Sequence, residues 1–344
     1  MGSWADDSAS TDIAAGRPKP EWIPNAIAPV CAAAQRANLV AVCDLKRDLV
    51  ERMQERWRIA AGYADFREMI EVERPDIVTI VTRYASTHAE IAAAVAESGY
   101  VRGIYCEKPM ATSMAEADRI VAACRLHSVF YSCAYVYRWN ARFRHVRAWI
   151  ADGAIGEVRS ISCHGMGALL HMGTHQADVM AGLDGDSEPD WAIGVVDVPP
   201  GVPQSEWPKS DPPGSGLIQM KTGTQLLIDG RSPRPRTYQV SGTEGRILIW
   251  NDFREVQLWR AREGAARADL MAEPMVSPAQ EKSPTFLQFE ELADALDRGA
   301  AISCDAHAAA RTLEMMLGLH LSHQEGGARV RFPLANRTFG VDTA

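Results

Sequence analysis

Cysteine pairs of the C-x-x-C kind are missing from this 344-residue chain, although it has seven cysteines, at positions 31, 43, 106, 124, 133, 163 and 304. An odd number of thiols within or beside apolar runs argues against a disulfide-stapled secreted scaffold and points to a reducing, cytoplasmic setting. Long hydrophobic runs are missing too. Nothing approaches the roughly 18 uninterrupted apolar residues of a membrane span, and the acidic start Met1-Gly-Ser-Trp-Ala-Asp-Asp7 leads into no apolar leader core, so no membrane association is expected. Basic charge is in deficit, 36 Lys and Arg against 44 Asp and Glu for a net charge of −8. A chain without a basic footprint is not expected to bind nucleic acid, and small neutral or polar ligands are the default.

What is present is ordinary globular composition, 47% hydrophobic, 7% aromatic and 23% charged. At about 150 residues per domain the length suggests two domains. Leu39–Cys43, Asp76–Thr82, Gly103–Cys106 and Val129–Tyr135 read as buried strands alternating with helical stretches. Two helix starts carry the S/T-x-x-E capping-box spacing, Thr87–Glu90 and Ser113–Glu116. Strand–helix alternation of this kind predicts a doubly wound parallel sheet of Rossmann type in a first α/β domain, residues 1–138.

The character changes after about residue 140. A helix through Trp149 and a strand over Glu157–Cys163 lead, from Asp190 on, into short strands parted by Gly and Pro. This pattern predicts a second α+β domain, residues 139–344, with a large, mainly antiparallel open sheet. Val198–Gly216, crowded with prolines, is expected to be a surface loop. Two closing helices follow, one through Phe286 and Phe289 and one through Leu313 and Met316; a C-terminal helix is placed as able to return to the first domain. On the last helix His320 and His323 read as a solvated face.

Parallel α/β sheets hold ligands at the carboxyl ends of their strands. The residues at those ends are Asp44, Thr82 to His88, and Glu107-Lys108-Pro109. Asp44 stands where a dinucleotide fold places the carboxylate that accepts from the adenosine ribose hydroxyls; it reads equally as a solvated helix start. NAD is the expected cofactor, with NADP kept open by Lys46 and Arg47. Thr82 and His88 are candidate cofactor contacts. Tyr137, Arg138, Trp139 and Asn140 follow the last strand and read as a cleft surface suited to a polyhydroxylated ligand, with Trp139 equally able to be core.

Glu107-Lys108-Pro109 after a strand, joined in order to Gly173, His175 and Asp178 as G-x-H-x-x-D, resembles the Gfo/Idh/MocA family of oxidoreductases. Arg138–Phe143, Gly153–Val158 and Arg329–Pro333 resemble its other recurrent stretches, so the similarity runs from about Leu39 to Pro333. The resemblance implies hydride transfer between NAD(P) and a secondary alcohol or ketone of a sugar, inositol or related polyol. It implies that Glu107 and Lys108 line the cofactor, that Lys108 orients the substrate oxygen, and that His175 is the general acid/base. Removing a hydroxyl proton as hydride leaves carbon requires such a group within hydrogen-bond reach of the oxygen.

Two departures stand out. Relatives carry an Asp four residues before the catalytic His, where this chain has His171, which shuttles protons but supplies no fixed negative charge. His171 and His175 also lie at the i, i+4 spacing of metal ligands, although no metal is expected. The second departure is the absence of G-x-G-x-x-G, whose glycines bring a pyrophosphate to a helix N-terminus. Between Asp12 and Asn25 there is a single glycine, Gly16, the candidate remnant of that turn. The competing function is therefore a non-catalytic, ligand-sensing or partner-binding protein of the same fold. Apolar residues on both faces of strands such as Gln225–Ile228 and Arg246–Trp250 predict a homodimer or a tetramer of dimers, with Trp250 and Trp259 at the contact.

Overall fold

The computed structural model describes residues 26–198, 211–232, 234–261 and 269–343. In chain order its elements are α1 (Ile27–Ala33), β1 (Ala41–Cys43), α2 (Arg47–Trp57), β2 (Ala61–Tyr63), α3 (Phe66–Glu73), β3 (Ile77–Ile80), α4 (His88–Glu97), β4 (Gly103–Cys106), α5 (Met114–Leu126) and β5 (Phe130–Cys133). There follow α6 (Ala141–Ala151), β6 (Val158–His164), α7 (Gly173–Leu183), β7 (Pro189–Val196), β8 (Gly214–Met220), β9 (Gln225–Asp229) and β10 (Thr237–Gly242). The last are β11 (Gly245–Trp250), β12 (Glu255–Ala261), β13 (Leu270–Ala272), α8 (Pro284–Arg298), α9 (Ala306–Gln324) and β14 (Val330–Arg331). Two compact units result, one of Met1–Ala111, Glu116–Trp139 and Gln280–His307, the other of Thr112–Ala115, Asn140–Ala279 and Ala308–Ala344.

In the first unit all strand pairs are parallel, as strand–helix alternation requires, but they form two sheets, β1–β2 and β3–β4–β5. A doubly wound sheet places its first strand between its second and fourth, here between β1 and β3. Among the described residues no strand occupies that position. Leu39 and Val81 pack against two buried clusters, one of Ala28, Met53 and Ile59, the other including Ile27, Val30, Tyr105, Phe289 and Leu292. Helix α8 belongs to this unit: Phe289 and Leu292 cover Tyr105, and Gln288 donates from Nε2 to Ser132 Oγ at 2.8 Å. Its start is specified locally by Ser283, whose Oγ accepts from Phe286 N, and by Pro284 in the first turn.

Strand β2 went unread in the sequence because Ala-Gly-Tyr has no apolar alternation. Gly62 is needed there, since a Cβ would lie 2.5 Å from Val50 Cγ1 of α2. The capping box expected at Thr87 is also not formed. A 3₁₀ turn, Ala85–Thr87, runs directly into α4, so Thr87 is already helical and its Oγ1 donates back to Tyr84 O.

The second unit is a nine-stranded sheet of order β13-β12-β11-β10-β6-β9-β8-β7-β14, antiparallel except for β6–β9. Period-two alternation turns Ile161, Cys163, Leu226, Ile228, Tyr238, Val240, Ile247 and Ile249 into the core. On the other face Leu227 and Trp250 remain exposed. Helix α9 approaches the core side closely because β7 and β8 present glycines to it; a Cβ on Gly194 would stand 2.5 Å from Leu319 O. Of the loop expected over Val198–Gly216, residues 199–210 lie outside the described residues. Gly214, Ser215 and Gly216 are not loop but the start of β8, paired with Val196, Val195 and Gly194. Among the described residues no helix is long and apolar enough to cross a membrane.

Candidate active site

In the first unit the candidate residues gather at the carboxyl ends of the parallel strands. Asp44 follows β1, is half-buried, and accepts from Lys46 N through Oδ1 at 2.9 Å, which turns the chain into α2. Every residue of β4 is buried, and Glu107 and Lys108 emerge half-buried from its end. Glu107 N continues the ladder to Ile80 O at 2.8 Å. Burial pushes the Glu107 carboxyl up to about 7, against the opposing pull of the Lys108 ammonium and of its backbone N–H. Folded protein therefore holds a proton that unfolded protein releases near its ordinary value of 4.5, and this group costs stability as pH rises through that window. Glu107→Gln is expected to melt above the wild type at pH 8, and the gap to close by pH 4; parallel melting curves at both pH values would refute this.

His88, a candidate cofactor contact, has its ring held between two backbone carbonyls. The ring is 1% exposed, with Nδ1 2.8 Å from Pro109 O and Nε2 3.1 Å from Thr82 O. A neutral imidazole donates to one such carbonyl and an imidazolium to both. Burial pushes its pKa below the ordinary histidine value. His88 thus ties the loop after β3 to the turn after β4 from beneath. Thr82 itself is exposed at the head of that loop, its Oγ1 2.8 Å from Thr87 Oγ1.

Tyr137, Arg138 and Trp139 form a 3₁₀ turn after β5, and only Tyr137 of the four residues expected to meet ligand keeps appreciable surface. Arg138 is 5% exposed and donates from Nη1 to Ser303 O at 3.0 Å, while Trp139 is 7% exposed. Asn140 opens the second unit, where its Oδ1 accepts from Arg142 N and caps α6. The side chains of Arg138 and Asn140 are thus engaged by neighbouring backbone. Gly16 lies outside the described residues.

In the second unit α7 begins just after His171 and Met172, and all eleven of its residues are buried. His175 sits in its first turn, 7% exposed, with its N–H on Met172 O. Thr174 Oγ1 donates to Leu170 O at 2.7 Å. With the Gln176 amide oriented to satisfy both ends, Nε2 donates to Met172 O and Oε1 accepts from Arg236 Nη1 at 2.8 Å. Arg236 is held in turn by Asp252 at 2.7 Å and by the Phe253 ring. His171 is exposed and precedes the helix, so it shares no helical face with His175 and the i, i+4 ligand geometry is not formed. Among the described residues no group of three or more His, Cys, Asp or Glu is placed to hold a metal ion.

Two residues of this region escaped sequence reasoning. Asp211, forty residues from His171, accepts from its backbone N–H at 2.6 Å. His320, read as solvated, is fully buried with Nε2 3.4 Å from Asp211 Oδ1. No local signal announces either, because the contact depends on how close α9 lies to the sheet.

Residues 23–135 match the Gfo/Idh/MocA family model, described as an oxidoreductase family with an NAD-binding Rossmann fold. The chain is 27% identical over 121 residues to a myo-inositol 2-dehydrogenase of Thermotoga maritima, a match covering 35% of each chain. It is 25% identical over 270 residues to a levoglucosan dehydrogenase of Pseudarthrobacter phenanthrenivorans, covering 66% of this chain and 68% of that one. Among solved structures it is similar to aldose-aldose oxidoreductase from Caulobacter crescentus complexed with glycerol, with a TM-score of 0.75 at 19% identity over 89% of this chain and 95% of that one. A levoglucosan dehydrogenase in complex with NADH and levoglucosan gives a TM-score of 0.73 at 20% identity, covering 89% and 94%. The matched stretch spans about a third of the first of these curated relatives, 35% of its length. Residues 23–135 thus match an oxidoreductase family with an NAD-binding Rossmann fold, and the chain shares the fold of these solved oxidoreductase structures.

Proposed function

We propose that the chain is an NAD(P)-dependent oxidoreductase that moves a hydride between a nicotinamide cofactor and a secondary alcohol or carbonyl of a sugar, inositol or related polyol. The observation that carries this reading is Lys108, half-buried at the carboxyl end of a fully buried parallel strand within the stretch that matches an NAD-binding Rossmann family; His175 lies in the first turn of a fully buried helix of the second unit. Asp44, Thr82 and Lys108, all following parallel strands, fit the adenosine ribose and nicotinamide ends of a dinucleotide. The bound cofactor would supply the hydride acceptor. Lys108 would orient the alcohol oxygen and stabilise charge that develops on it, and His175 would take its proton. The carboxylate of Asp44 favours NAD, since a 2′-phosphate would meet its charge; Arg47 is engaged by Glu51 at 2.8 Å.

A second reading is favoured by the sequence, which carries no G-x-G-x-x-G. On it the chain is a non-catalytic member that binds cofactor weakly or not at all. Fluorescence titration with NADH and NADPH separates the two. Saturable binding, tighter for NADH and weakened by Asp44→Ala, is the expected result; no binding of either nucleotide would select the second reading.

The seven cysteines form no disulfide with one another, which supports a reducing, cytoplasmic location. Assembly follows from the sheet. Leu227 and Trp250 are exposed on the face opposite the helices, and an isologous pairing would cover both copies at once. Light scattering is expected to give about twice the 37.7 kDa chain mass, or four times it for a tetramer; the single-chain mass would refute the pairing.

A further inference from the structure

We infer that Asp211 is the positioning residue of the His171–His175 segment, supplying from a distant loop the fixed negative charge that His171 lacks. The inference rests on the reading of His175 as acid/base. The side chain of Asp211 is 4% exposed, and a carboxylate so far from water must be met by donors. It is met by Leu170 N, at 2.9 Å from Oδ1 and 3.0 Å from Oδ2, and by His171 N, at 2.6 Å from Oδ2. Two successive backbone N–H groups converging on one acceptor form an anion-holding concavity, here filled by the protein's own carboxylate.

The donors lie immediately before α7, where N–H groups have no partner within the helix and the helix end favours negative charge. From the opposite side Thr174 Oγ1 donates to Leu170 O, so the turn is gripped at both its N–H and its C=O. There is little slack in it, since a Cβ on Gly173 would lie 3.2 Å from Ala168 O. Behind the carboxylate stands His320 of α9, itself closed to solvent. The turn that sets the height and direction of His175 is therefore fastened to a buried Asp–His pair. The other charged or titratable groups of this region are Asp178, one turn further along α7, and Arg236, which reaches the helix through Gln176.

The test compares Asp211→Asn, which keeps an acceptor and removes the charge, with Asp211→Glu, which keeps the charge. In the apo protein, hydrogen exchange at the Leu170 and His171 amides is expected to quicken at least tenfold in the Asn variant while Ala177–Leu183 stay protected. The His175 imidazole titration, followed by NMR and assigned with His175→Gln, is expected to move down by about half a unit in the Asn variant and to remain near wild type in the Glu variant. A His175 midpoint unchanged by Asn would overturn the inference, because a merely structural Asp211 predicts no shift. If Asp211→Asn does not fold, Asp211→Ser carries the same comparison, its hydroxyl still able to accept from His171 N. Neither readout needs turnover. Should His175→Ala keep full activity on a confirmed substrate while the midpoint shifts, the acid/base reading fails and the positioning role stands.

Discussion

Lys108→Ala is expected to lower turnover on a confirmed substrate by at least about a hundredfold, the scale of losing one preorganised group that acts on transition-state charge. Folding should be unaffected. Lys108 lies half-buried at the end of β4, whereas the strand itself is anchored by four buried residues and by ladders to β3 and β5. The substitution has an internal control as well: Lys108 pulls the Glu107 carboxyl downward, so its removal should push that carboxyl further up. On its proposed role as acid/base, His175→Ala is expected to show the same loss. Melting curves within a few degrees of wild type, with turnover lost, would support both roles. Near-wild-type turnover in either variant would remove that residue from the mechanism.

The largest effect on stability is expected from Gly194→Ala. A methyl group there would stand 2.5 Å from Leu319 O and 2.8 Å from Leu319 Cα, both backbone atoms of a buried helix that has no flexible end to yield. The same backbone N–H receives a fixed partner, Ser322 Oγ at 3.0 Å. Helix α9 must lift or β7 must bend, at a cost of about 3 kcal/mol, which for a unit of this size lowers the melting temperature by about 6–12 °C. Gly299→Ala is the contrasting substitution. Its φ is +67° and no atom lies within 4 Å of the added Cβ, so only the left-handed backbone is penalised, by about 1 kcal/mol. Equal melting temperatures for the two variants would contradict the close approach of α9 to β7.

The sequence by itself determined the elements whose physics is local. A run of β-branched residues marked β3, a short apolar run marked β4, and alternation marked the strands of the second unit, because side-chain period follows directly from strand geometry. It also located Glu107-Lys108-Pro109 at a strand's carboxyl end and His175 at a helix start, since both lie within a few residues of the signals that end one element and begin another. Tertiary structure decided everything that depends on which element lies over which. Ala61–Tyr63 is a strand only because β1 offers it a parallel edge and α2 leaves room for no side chain at Gly62. His88 points inward because two backbone carbonyls from separate loops meet at its ring. Arg138 and Asn140 find backbone partners, one of them 165 residues away. His320 is buried, and Asp211 reaches His171, because glycines on β7 and β8 let α9 settle closely on the sheet. Hydrogen-bond partners forty or more residues apart leave no periodicity in the chain; they are chosen when buried polar groups, cut off from water, must find whatever donor or acceptor the packing brings to them.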